Sequence, residues 1–115
     1  MRTIFVILAV LALAASLPAI TKTWTGGDIL TDWGRAANWS PSGAPTSADD
    51  VTIPGGLASY PTTSLNAGVC NNLTIQNGGR VTVAGQHLTV YGTMYSEGNL
   101  SMSSPNGQLT VYQGM

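Results

Sequence analysis

The aromatic rings of this sequence are the side chains best suited to chemistry with a partner. Trp24, Trp33 and Trp39 crowd one early segment, and Tyr60, Tyr91, Tyr95 and Tyr112 follow. An apolar ring face matches the C–H face of a pyranose, so exposed rings in a charge-poor chain point to sugar stacking. Trp33, Tyr91 and Tyr95 are the candidates for that contact, whereas Trp24 and Trp39 are read as a plug over the end of a core. Asp49-Asp50 is the one adjacent pair of carboxylates, and two acids beside a strand can hold calcium through oxygen. Their neighbours Ala48, Val51 and Ile53 bring no side-chain oxygen, so turn-capping is the favoured role and no cofactor is expected.

Hydrolytic or eliminative chemistry finds little support. His87 is the sole imidazole, with no second histidine and no serine elbow around it. Cleavage of a polysaccharide, the rival activity, needs clustered acids, a base or an arginine along one groove. The repetitive half of the chain offers Arg80, His87 and Glu97, which read as too few and too scattered, so a non-enzymatic protein is expected. Cys70 is the single cysteine and cannot form an intrachain disulfide; its place just before a strand predicts a buried, small apolar side chain.

The elements that must position these residues are short and regular. Leu73-Thr74-Ile75, Val81-Thr82-Val83, Leu88-Thr89-Val90, Leu100-Ser101-Met102 and Leu109-Thr110-Val111 share one pattern. Side chains alternate along a strand, so the outer two residues of each triplet share an inner face and the central hydroxyl points out. Gly- and Asn-rich links such as "QNGGR" and "AGQH" turn the chain after each strand, and Asn72 and Asn99 stand where a corner needs a cap. Triplets make poor hairpins for an antiparallel sandwich, whose strands usually run about 5 to 6 residues. The pattern predicts an all-β fold, a parallel β-helix or solenoid of short strands whose coils stack with like residues aligned.

Met1-Arg2-Thr3 followed by the apolar run Ile4–Ala15 reads as a signal helix, too short to span a bilayer and ended by small residues. Export follows, with removal near Ser16–Ala19. Without Arg2, three cations stand against five acids, a net charge of −2. So sparse a balance excludes a phosphate-tracking face, and nucleic acid is not an expected partner. No membrane span is expected once the leader is removed.

The domain reading is therefore a signal peptide over 1–19, a tryptophan-bearing entry or capping segment over 20–68, and solenoid repeats over 69–115. The order of "TWTGGD" (Thr23–Asp28), Trp33, "AANWSPSGAPTSADDVTIP" (Ala36–Pro54), a Pro-rich gap and "CNNLTIQNGGRVTVAGQHLTVYG" (Cys70–Gly92) resembles the N-terminal part of large secreted bacterial surface proteins with parallel β-helix, autotransporter-like strand repeats. That resemblance implies that the tryptophan segment begins the helix and that Val51 and Ile53 point inward. It also implies a secreted or cell-surface location and a structural or adhesive role. The chain is short beside such proteins, so the repeats are expected to be truncated. Surface glycans, and self-association through an open solenoid end, are the expected partnerships.

Overall fold

The structure is a computed structural model that describes residues 19–103 and 105–114. The expected signal helix lies outside the described residues, Ala19 apart. Ten strands follow: β1 (Thr21–Trp24), β2 (Trp39–Ser40), β3 (Asp50–Ile53), β4 (Gly68–Cys70), β5 (Leu73–Ile75), β6 (Arg80–Val83), β7 (Leu88–Val90), β8 (Met94–Ser96), β9 (Asn99–Met102) and β10 (Leu109–Val111). The fold is all-β, with one 3-10 turn at Ala36–Asn38 and no α-helix among the described residues. No helix there is long and apolar enough to cross a membrane.

The strands form a five-stranded sheet in the order β2-β1-β3-β5-β8, a three-stranded sheet β10-β7-β4 and a pair β6-β9. Every pairing except β1 with β2 is parallel. Val51 aligns with Leu73 and Leu73 with Met94. Gly68 aligns with Leu88 and Leu88 with Leu109. Val81 aligns with Leu100, and an isolated bridge sets Thr62 beside Thr82. From β5 onward the chain visits the three sheets in turn and returns to the first after each circuit.

Alternation within each triplet decides what is buried. Leu73, Ile75, Val81, Val83, Leu88 and Val90 are buried, as are Val51 and Ile53, while Thr74, Thr82 and Thr89 between them remain partly exposed. Full burial of one such aliphatic side chain is worth about 1.5–3 kcal/mol, so the columns are the main source of stability. The expected interior reached too far along the chain. Leu100, Leu109 and Val111 are only half-buried and Met102 is 48 % exposed. These residues lie on β9 and β10, the last strands to join their sheets, whereas Met94 on β8 is still buried.

The entry end is built differently. Strand β2 runs antiparallel to β1, with Trp24 opposite Trp39, and so covers the outer edge of the first sheet. Lys22, almost wholly buried, donates from Nζ to the carbonyls of Pro41 (2.9 Å) and Ser42 (3.0 Å), pinning the loop after β2 against β1. Turns between strands are tight. Between β5 and β6 the Gly79 N–H donates to the Gln76 carbonyl at 2.8 Å, and Gly78 there has φ +85°, a conformation that costs glycine alone little.

Candidate functional site

Trp33 does not offer its face to a ligand. Its ring is 0 % exposed and packs edge-on against Trp39 at 5.0 Å, while Trp39 packs edge-on against Trp24 at 5.2 Å. The expected sugar-stacking role of Trp33 is therefore corrected: all three indoles lie in the core, as expected only for Trp24 and Trp39. Gly68 is the reason Trp33 fits. A Cβ at that position would sit 3.0 Å from Trp33 Cδ2, so the missing side chain makes room for the ring. Trp24 Nε1 donates to the Ser59 carbonyl and Trp39 Nε1 to the Trp33 carbonyl, whereas Trp33 Nε1 is buried without a partner among the described residues.

The two adjacent acids turn to separate tasks. Asp49 is buried and accepts from the Thr46 N–H (2.9 Å) and hydroxyl (3.1 Å), capping the turn before β3. Asp50 accepts from Asn71 Nδ2 (3.0 Å) and from the Asn72 N–H (3.2 Å), in the turn between β4 and β5. Asn72 repeats the motif, its Oδ1 accepting from the Thr93 N–H (2.9 Å) and hydroxyl (3.2 Å). The result is a polar ladder, Asp50 to Asn72 to Thr93, that ties successive corners together. Among the described residues no three His, Cys, Asp or Glu side chains gather where they could hold a metal ion. Asp32, also buried, accepts from the N–H groups of Leu65 and Gly34. Asp28 lies lower than the usual carboxylate range because the Leu30 N–H and Arg35, at 2.9 Å, favour its charged form.

The tyrosines are where the surface becomes aromatic. Val90 and Val111 are in register, so the residues that follow them, Tyr91 and Tyr112, share one corner. Their rings stack with centroids 5.2 Å apart and 12° between planes, and they are 45 % and 65 % exposed. Tyr95, 61 % exposed, aligns with Thr74 on the outer side of the large sheet. Tyr60 instead packs against the core and its phenol oxygen accepts from the Leu57 N–H at 3.0 Å. Of the expected stacking residues, Tyr91 and Tyr95 are thus at the surface and Trp33 is not.

Folding creates one grouping that the sequence spacing hides. Arg80 and Glu97, scattered along the sequence, line a single concavity of about 290 Å³ together with Asn77 and Asn99, while His87 is not among its lining residues. A signal for it was present, since each charge flanks a glycine in the turn that precedes a strand. Residues 23–111 match the model of one family, described as a domain of unknown function (DUF8693). No curated protein and no solved structure matches the chain.

Proposed function

We propose that this chain, which belongs to the DUF8693 family, is an exported, non-enzymatic parallel β-helix module serving as a structural or adhesive element at the bacterial cell surface. The observation that carries the reading is the in-register parallel stacking. Residues about 20 apart align in each of the three sheets, with apolar side chains in inner columns and threonines outside. Such an object gains stability from each added coil and offers long, lightly charged flanks, which suits a spacer or a surface for contact. Export rests on the leader over 1–19, whose charge and apolar length fit removal on secretion.

A second reading, carbohydrate binding, is favoured by the exposed Tyr91–Tyr112 stack and by Tyr95. Aromatic faces held at a fixed corner lose little entropy on meeting a sugar ring. Intact-mass measurement, with antibody labelling of whole cells that produce the chain, tests the main reading. A mature chain lacking its leader and reachable from outside is expected, and a cytosolic chain that keeps Met1 would overturn it. Retention on a glycan array that weakens at least tenfold in Tyr91→Ala and Tyr112→Ala would bring the second reading forward.

A further inference from the structure

From Val51 to Met115 the only charged side chains are Arg80 and Glu97, and both line the same concavity. They come from consecutive coils, Arg80 opening β6 and Glu97 lying in the turn after β8. They do not neutralise each other, for the one ion pair among the described residues is Arg35 with Asp28. The side chains of Asn77 and Asn99, on the same wall, likewise make no hydrogen bond among the described residues. Two amides, a guanidinium and a carboxylate therefore face one space with their donors and acceptors unused.

The backbone explains why the space is hollow. A Cβ at Gly79 would lie 2.7 Å from the Ile53 carbonyl oxygen, and one at Gly98 would collide with the Gly79 carbonyl, so stacking of the coils demands bare glycines there. Register places Arg80 beside Asn99, and the next outward pair, Thr82 and Ser101, joins hydroxyls at 3.4 Å. The concavity thus opens onto a strip of hydroxyl groups.

We propose that this concavity binds one neutral hexopyranose unit of a glycan, its vicinal hydroxyls set between Arg80 and Glu97 with Asn77 and Asn99 completing the contacts. Each sugar hydroxyl both donates and accepts: the carboxylate takes protons, the guanidinium gives them, and the amides do both. An acidic sugar would meet Glu97 and an amino sugar would meet Arg80, so the balanced pair selects a neutral ring. The volume sits just under the roughly 300–1,000 Å³ of sites for drug-sized ligands, which suits a single ring. Without an aromatic among the lining residues, one unit is held weakly, and neighbouring units along Thr82 and Ser101 add to the affinity. The site is separate from the tyrosine corner, and failure of export or of a surface role would leave it standing.

Amide chemical shifts of the isotope-labelled chain, titrated through the millimolar range with methyl β-glucoside, methyl β-galactoside and methyl α-mannoside, test the proposal. For at least one of the three, saturable shifts are expected at Gly78, Gly98 and Asn99. Arg80→Ala and Glu97→Gln, both at exposed positions, each remove hydrogen bonds made by a charged group and should weaken binding about tenfold or more with the remaining spectrum unchanged. Glucuronate and glucosamine should bind more weakly than methyl glucoside. No saturable shift with any of the three sugars, shifts confined to Tyr91, Tyr95 and Tyr112, binding that survives in both variants, or tighter binding of either charged sugar would each overturn it.

Discussion

Gly68 and Leu88 face each other in register across β4 and β7, and their substitution effects must be coupled. A Cβ at Gly68 would stand 2.8 Å from Leu88 Cδ1 and 3.0 Å from Trp33 Cδ2. The leucine tip can rotate away, but the indole is held by Trp39, so Gly68→Ala overpacks the core at a cost of about 1–3 kcal/mol. Leu88 is fully buried, and Leu88→Ala should cost about 2–5 kcal/mol through lost burial and the cavity left behind. In the double variant the new methyl at position 68 enters space that the leucine vacated. The combined loss should then fall short of additivity by about 1–2 kcal/mol, within the range measured for side chains in contact. The shortfall stays below the full cost of Gly68→Ala because the Trp33 contact persists. Urea unfolding of the four proteins, followed by tryptophan fluorescence, measures the coupling; Leu88→Val serves if Leu88→Ala does not fold. Additivity within about 0.5 kcal/mol, or a neutral Gly68→Ala, would refute the packing argument.

Three further outcomes are expected. Burial, and then the Asp50 carboxylate, push the Cys70 thiol up to about 12 from its usual 9.0. Its neutral form favours the fold fully below pH 9, and that contribution is lost as pH rises towards 12, so between pH 8 and 11 the urea midpoint should fall more steeply than in Cys70→Ala. Equal slopes would refute it. Trp33→Ala should destabilise the chain by about 3–5 kcal/mol, a core penalty that a surface sugar-stacking ring would not show in urea unfolding. Asn72→Ala removes a rung between two corners at an exposed edge and should cost about 0.5–1.5 kcal/mol in the same assay, with Asn72→Asp, which keeps the acceptor, closer to the parent.

Alternation was readable where a triplet carried two aliphatics around a threonine, because burial of both outer residues in β5, β6 and β7 follows from the pleat alone. Strand β8 was not, since Met94 is its one buried residue and "YGTMYSEGN" has the composition of a turn. Thr62 was hidden for a like reason: a single bridging residue in a Pro- and Ser-rich link gives no periodic signal. Trp33 was misplaced because its burial depends on an absent side chain at Gly68, far along the chain. Arg80 and Glu97 looked isolated because their proximity is a product of the parallel pairing of β6 with β9. The Asn72 cap, by contrast, came directly from an asparagine at a strand entry, but the same signal fails at Asn99, whose side chain makes no hydrogen bond among the described residues.

The contrast between the indole-lined entry end and the half-covered strands β9 and β10 bears on how the molecule comes apart. Thr21 pairs with Asp50 across β1 and β3, but from β3 onward each parallel pairing joins strands about 20 residues apart, so each strand is held by its immediate sheet neighbours. Opening free energy should then be lowest around β9 and β10, where Leu100, Leu109 and Val111 are only half-buried. Amide protection is expected to be lower there than in β1, β2 and β3, which pack around Trp24 and Trp39. Indole fluorescence therefore reports the loss of the tryptophan core, the unit in which Trp33, Gly68 and Leu88 meet, and not the opening of β9 and β10.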